Sequence, residues 1–223
     1  MANVGFTRDE IILTLDVLYS AGDDKLTKNS PKIEELCSVL QTLPIHPEEK
    51  RPPNFRNTVG VSDQIRGFQE EAIGVERSRW GIGKKFHKIA EEFQGRTDEL
   101  HEIANAIRRN KDYFCSCNFG QVEENSGFPE GSLLAHLHRV IERRDGKKIP
   151  KKERCEICQI DMGRIYDEGD GCLEQHLLVP IVKLDAGKKY GADEFITVCP
   201  NCHAVLHRYR PWRTQGDYKT ILK

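Results

Sequence analysis

The first half of the chain repeats apolar residues with the period of an amphipathic α-helix. Thr7 and Glu10 have the spacing of a capping box, and the apolar residues that follow predict a helix ending at Gly22. Ser30, followed by a proline, predicts the start of a second helix. The same periodicity predicts further helices over residues 62–68, 80–93 and 97–109.

The pattern changes in the second half of the chain. Residues 111–131 are rich in glycine and proline and predict a connector, and a basic helix over 133–144 follows it. Further on, the apolar segments become short, and cysteines and histidines cluster. We therefore predict a helical head at 1–110, a connector with the basic helix at 111–148, and a separate C-terminal domain at 149–223.

Composition excludes two classes of protein. With 38% hydrophobic and 31% charged residues, the chain can bury a core and is not generally disordered. Its longest apolar run, Leu177 to Val182, is far shorter than the ~20 residues of a membrane-spanning helix. The N-terminal segment lacks the features of a secretory signal, so we expect no membrane partner and a reducing cytoplasm in which cysteines do not form disulfides.

A formal net charge of −1 conceals an uneven distribution of charge. Residues 139–154 contain eight Lys or Arg and three Asp or Glu, and residues 203–223 contain five Lys or Arg and one Asp. The C-terminal third is therefore basic and the rest of the chain is acidic. Such a distribution fits a nucleic-acid partner, although a solvated helix face accounts for basic runs equally well.

Two CxxC motifs, Cys155–Cys158 and Cys199–Cys202, are separated by 40 residues. Each motif can place two thiolates on one cation, and two such turns complete a tetrahedral zinc site. Disulfides or a redox-active CxxC are the alternatives, but the compartment disfavours the first and the pairing of motifs disfavours both. The spacing therefore predicts one structural Zn²⁺ bound by four cysteines.

Histidines form a second pattern in the same region. His203 and His207 are four residues apart, so they share one face of a helix. His176 lies between the two CxxC motifs, on a segment that we expect to lie across from that helix. We interpret the other titratable or thiol side chains as packing or surface groups without function: Cys115, Cys117, Cys172, His136 and His138.

The segments CEICQIDMGRIYDEGDGCLEQHLLVPIV and DEFITVCPNCHAVLHRYRPW, in this order, resemble an HNH endonuclease domain of the McrA type. The resemblance implies an α+β fold in which a β-hairpin and a helix bind one divalent cation (the ββα-metal fold) and four cysteines bind Zn²⁺. It also implies hydrolysis of DNA phosphodiester bonds. His176, His203 and His207 would be the ligands of the catalytic cation, Mg²⁺ or another divalent metal.

The chain departs from this family at two positions of the implied catalytic set, which is His176, Leu177, Glu194 and His203. The family has two adjacent histidines, a metal ligand and then the general base, and Leu177 occupies the second position. Leucine cannot accept a proton, so the resemblance implies an impaired nuclease, whether Leu177 is natural or engineered. Glu194 replaces the family's middle asparagine, which is a milder change.

The resemblance also implies the partners. Double-stranded DNA is the expected substrate, and the head is loosely similar to domains of restriction enzymes that act on modified bases in prokaryotes and phages. One HNH site cuts one strand, so cleavage of both strands would require a homodimer. The expected DNA contacts are Lys148, Arg208, Arg210 and Arg213, together with Arg56 and Asn57 in the head.

Two other interpretations of the chain remain open. A zinc-braced DNA-binding protein that does not cleave is consistent with Leu177. A purely structural or protein-binding zinc domain needs only the cysteines, so the paired His203 and His207 disfavour it. For the head, a turn that packs Phe55 inward is as plausible as contact between Arg56 or Asn57 and a base.

Overall fold

A computed structural model describes residues 4–22, 24–72, 83–117, 132–208 and 218–222. The chain divides into two compact units, residues 1–125 and residues 126–223. Within the described residues, no helix combines the length and the apolar character needed to cross a membrane. The fold class is α+β, since the first unit is helical and the second contains a two-stranded sheet.

The described residues of the first unit form six helices and one short 3₁₀ turn at Glu48–Lys50. The predicted helices are present, but the third is longer than the predicted 62–68, and the fourth begins at Lys84, with residues 80–82 of its predicted span outside the described residues. A short helix also occupies the start of the predicted connector. The helices are α1 Arg8–Ala21, α2 Pro31–Thr42, α3 Thr58–Ala72, α4 Lys84–Glu92, α5 Thr97–Arg109 and α6 Lys111–Ser116.

Helix α1 is the centre of the first unit and packs against α2, α4 and α5. Its capping box is formed as predicted, because the Thr7 backbone N–H donates to the Glu10 carboxylate at 2.8 Å and the Thr7 hydroxyl accepts from the Glu10 N–H. Glu10 is itself fully buried. A buried carboxylate requires a charged partner, and that partner comes from the loop before α3.

Arg56 is this partner, and its predicted contact with DNA stays a prediction. Its guanidinium donates to both carboxylate oxygens of Glu10, at 2.6 and 2.9 Å, and lies 3.8 Å from the ring centre of Phe6. Only 6% of Arg56 is exposed. Asn57 directly precedes α3 and caps it, because its side-chain oxygen accepts the Gly60 N–H at 2.8 Å. Both polar groups therefore have structural roles in the head.

The second unit follows the order helix, strand, strand, helix. Strands β1 (Glu174–Leu177) and β2 (Phe195–Val198) are antiparallel, with His176 opposite Ile196 and Leu177 opposite Phe195. Helix α7 (Ser132–Asp145) and helix α8 (Pro200–Arg208) both pack on β1. Short 3₁₀ turns complete the unit: Gly146–Lys148, Gly169–Gly171, Ile181–Lys183, Ala192–Glu194 and Tyr218–Ile221.

Helix α7 is part of the second unit and not of a connector, which differs from the predicted boundary at residue 149. It packs on β1, and its Leu133, Leu137 and Ile141 are fully buried. A hairpin with strands of four residues is marginal in water, so it depends on what packs against it. One apolar cluster joins the hairpin to α8 and to the first CxxC segment, and it includes Leu173, Leu178, Ile196, Val198 and Leu206.

We predict that the pair of Glu10 and Arg56 stabilises the head in a pH-dependent way. Burial alone would raise the pKa of Glu10, but hydrogen bonds with His46 and Arg56 outweigh it and lower the pKa to about 2. The unfolded chain then binds the proton more readily than the folded chain. The stabilisation should be complete above pH 4.5 and should be lost as the pH falls towards 2.

Replacing Glu10 by glutamine leaves the Arg56 charge buried without its counter-ion, which should cost about 3–5 kcal/mol. The control is Glu92→Gln, because Glu92 pairs with Arg8 at 2.6 Å on the surface and such pairs contribute at most about 1 kcal/mol. Hydrogen exchange of the α1 amides measures both variants. Equally small losses of stability in the two variants would contradict a stabilising pair of Glu10 and Arg56. So would a loss of stability at low pH that is the same in Glu10→Gln as in the unchanged chain.

Candidate functional site

The four cysteines of the two CxxC motifs converge beside the hairpin. Their sulfur atoms all lie within 4.8 Å of one another, and those of Cys158 and Cys199 are 3.7 Å apart, far longer than a disulfide bond of about 2.05 Å. Cys199 directly follows β2, and Cys202 lies in the first turn of α8. This group can bind a metal ion such as zinc.

The first CxxC turn is held against β2 by the side chain between its cysteines. The Glu156 carboxylate accepts the Thr197 N–H at 2.7 Å, and the Glu156 N–H donates to the Thr197 carbonyl at 2.9 Å. Gln159, directly after the turn, has a φ of 63°, a left-handed conformation that reverses the chain. The first CxxC turn is therefore held against β2 by hydrogen bonds of both the side chain and the backbone of Glu156.

A second group of possible metal ligands lies around β1, α7 and α8. It consists of His176 from β1, His203 and His207 from α8, and Glu142 from α7, with all four ligand atoms within 4.8 Å of one another. The Glu142 carboxylate lies 2.9 Å from His176 Nδ1, 3.4 Å from His203 Nε2 and 3.5 Å from His207 Nε2. The structure thus brings the three predicted histidines together and adds a carboxylate.

The electrostatics of this group favour a neutral His176 beside an ionised Glu142. Burial lowers the pKa of His176 to about 4. Burial would raise the pKa of Glu142, but the surrounding histidines outweigh it and hold that pKa well below the usual range. His203 differs: burial would lower its pKa, yet hydrogen bonds with Glu142 and Glu174 raise it. Neutral histidine and ionised glutamate are the forms that bind a metal.

Sequence reasoning missed Glu142 and misjudged His138. We had interpreted His138 as a helix-surface residue, but it is 1% exposed, and its Nε2 lies 3.2 Å from the Leu177 carbonyl oxygen. Its ring centre is 5.2 Å from that of His207. His138 and Glu142 are four residues apart, so they share one face of α7. This spacing indicates that the two side chains lie together. The basic residues around them, however, are typical of a solvated helix face.

The two positions at which the chain departs from the HNH pattern lie outside this group. Leu177 is fully buried, and strand alternation directs its side chain to the face opposite that of His176. The Glu194 carboxylate accepts the Gly191 N–H at 2.8 Å and pairs with Lys188 at 2.8 Å. Neither residue supplies a ligand atom to the histidine group.

A cleft of about 440 Å³ opens beside His203 and His207. Four basic side chains line it, and three of them follow each other at intervals of four residues along α7 and the turn after it. These four residues, which we call the basic rim, are Arg139, Arg143, Lys147 and Lys151. Glu174, whose carboxylate is hydrogen-bonded to His203 Nδ1, lines the same cleft. The arrangement can hold an anion next to the histidine group.

The predicted DNA contacts of this unit fall into three cases. Lys148 is exposed but does not line the cleft, and its ammonium lies 3.9 Å from Asp145. Arg208 is exposed at the end of α8. Arg210 and Arg213 lie outside the described residues, so their predicted roles stay predictions.

Comparison with known proteins adds no relative. No protein-family model matches the chain, and neither the curated proteins nor the solved structures that were compared include a match.

We predict that the purified protein contains zinc on its four cysteines. Replacing Cys155 by serine should release that zinc and unfold residues 126–223, because structural zinc contributes about 10 kcal/mol or more to the folding of small domains. Cys172→Ser is the control, since this exposed thiol lies outside the cysteine group. Elemental analysis and circular dichroism measure both effects. A folded C-terminal unit that contains no zinc would contradict the prediction.

Proposed function

We propose that the C-terminal unit is a metal-dependent DNA endonuclease of the HNH type, in which Leu177 impairs catalysis. The observation that carries the proposal is the position of the histidine group at the edge of a cleft with a basic rim. A metal site and an anion site side by side are what hydrolysis of a phosphodiester requires. A purely structural zinc domain would need neither.

The topology also supports the proposal. An antiparallel hairpin followed directly by a helix is the order that a ββα-metal domain requires. His176 comes from the first strand, and His203 and His207 come from the helix. The four cysteines lie where the resemblance expects a zinc brace, at the junction of β2 and α8.

In the proposed reaction, the basic rim binds the phosphates on either side of the scissile bond. Glu174 orients His203 through its hydrogen bond to Nδ1, as carboxylates do for histidines that bind metals. A divalent cation held by the three histidines would stabilise negative charge on the phosphoryl group and on the leaving oxygen. Leu177 offers no acceptor for the proton of the attacking water, so hydrolysis is slow.

A DNA-binding protein that does not cleave is the second candidate. It is favoured by the complete burial of Leu177, because an apolar side chain packed opposite Phe195 suits a strand whose role is structural. Both candidates share double-stranded DNA as the partner. Modified bases, a homodimer, Mg²⁺ or another divalent metal as the catalytic ion, and a cytoplasmic prokaryotic or phage setting follow from the resemblance and stay predictions.

We predict that the basic rim determines the salt dependence of DNA binding. Arg143→Gln should weaken binding to a duplex and reduce the slope of log K against log salt by about one, since one phosphate contact is lost. Lys183→Gln is the control, because Lys183 is an exposed lysine of the same unit that does not line the cleft. Fluorescence anisotropy at several salt concentrations measures both. Binding that does not depend on salt would contradict the proposal.

We predict that this chain binds DNA but cleaves it slowly, and that Leu177→His increases metal-dependent cleavage by about 10²–10⁴. Adding His203→Ala to that variant should abolish the gain. Leu177→Asn controls for the burial of a polar group, and zinc content verifies folding. Cleavage by the unchanged chain at the rate of Leu177→His would place the general base elsewhere. His176 would then be the candidate, with His203 and His207 left to hold the metal.

A further inference from the structure

We propose that Glu142 is a fourth protein ligand in the histidine group, so that the site is a Glu–His₃ centre selective for a transition metal such as Zn²⁺ over Mg²⁺. The inference rests on the metal site of the proposed function, but it does not depend on cleavage. Glu142 is the one member of the group that comes from α7 and not from the hairpin or α8.

The distances between the side chains carry the first step. Ligands about 2.0–2.1 Å from a tetrahedral zinc ion lie about 3.3 Å from one another. Glu142 Oε1 lies 2.9 Å from His176 Nδ1 and 3.4 Å from His203 Nε2, its Oε2 lies 3.5 Å from His207 Nε2, and the Nε2 atoms of His203 and His207 are 2.9 Å apart. These distances are close to that spacing, and all four ligand atoms lie within 4.8 Å of one another, so a small shift brings them onto one ion.

The types of donor carry the second step. Three imidazole nitrogens and one carboxylate oxygen suit Zn²⁺, Co²⁺ or Ni²⁺. Mg²⁺ prefers six oxygen ligands and retains several waters, which a group with three nitrogens and little exposure does not provide. His176 is 1% exposed and the Glu142 side chain is 8% exposed, so water can reach the ion only from the side of His203 and His207, which line the cleft.

The placement of Glu142 on α7 has two consequences. Four protein ligands complete a tetrahedral shell, whereas a catalytic ion needs an open position for substrate. A phosphate oxygen must then expand the shell or displace Glu142, which is a second reason, beside Leu177, for slow cleavage. In addition, the metal joins α7, which carries Arg139 and Arg143 of the basic rim, to the hairpin and α8.

The test is a Co²⁺ titration of the full chain with its cysteine group already filled by Zn²⁺. We expect the unchanged chain to bind one Co²⁺, with the visible absorption of a tetrahedral site and without the charge-transfer bands of thiolate ligands. Millimolar Mg²⁺ should not displace the Co²⁺. Glu142→Gln should weaken binding, measured by competition with a chelator, by about tenfold or more. Glu153→Gln, an exposed glutamate of the same unit, is the matched control and should bind as the unchanged chain does.

Glutamine at position 142 retains an oxygen that can accept the Leu177 N–H, now 3.1 Å from Glu142, so we expect the variant to fold. A second measurement needs no variant: azide added to the Co²⁺-loaded chain should leave the spectrum unchanged, because no water ligand is available for exchange. An azide-induced shift, or equal affinities of Glu142→Gln and the unchanged chain, would overturn the inference, as would failure to bind a second metal. DNA cleavage is measured separately, so its failure would count against the proposed function alone.

Discussion

The convergence of ligands on a single short helix is the constraint on which the second unit depends. Helix α8 has nine residues, and it carries Cys202 of the cysteine group as well as His203 and His207 of the histidine group. A metal bound by the four cysteines would fix the first CxxC turn to the junction of β2 and α8. His203 directly follows Cys202 in the first turn of α8, so the position of that turn determines where His203 lies relative to His176. The positions of the two groups therefore depend on each other through α8. A metal at the cysteines would stabilise a hairpin whose strands of four residues are too short to be stable alone.

The parts of this site that the sequence predicted are those whose ligands are close in sequence. Cys199, Cys202, His203 and His207 lie on one segment, so the turn and helix geometry determines their arrangement. Glu142 could not be predicted in this way, because it lies on α7, 32 residues before the first residue of β1. A carboxylate within a basic segment is typical of a solvated helix face. Glu142 is buried only because α7 packs on β1.

Arg56 shows the same limitation in the head. An arginine between an aromatic residue and an asparagine is typical of a loop that contacts a base, and nothing local distinguishes it from a buried ion pair. Glu10, 46 residues away, determines the outcome, because its capping role places a carboxylate in the core and thereby requires a cation there. The helices of the head were predictable from apolar periodicity, whereas the partners of its polar groups depended on which helices meet. The extension of α3 to Thr58 likewise depends on the Asn57 cap.

The central claim is that one hairpin supports two metal centres with different donors, and anomalous diffraction from crystals of the zinc-saturated chain tests it most directly. We expect two zinc peaks per chain: one among the sulfurs of the four cysteines, and one in contact with a Glu142 oxygen and three imidazole nitrogens. A single peak at the cysteines would contradict the claim. A second peak that contacts the histidines and a water, but not Glu142, would contradict the closed Glu–His₃ shell.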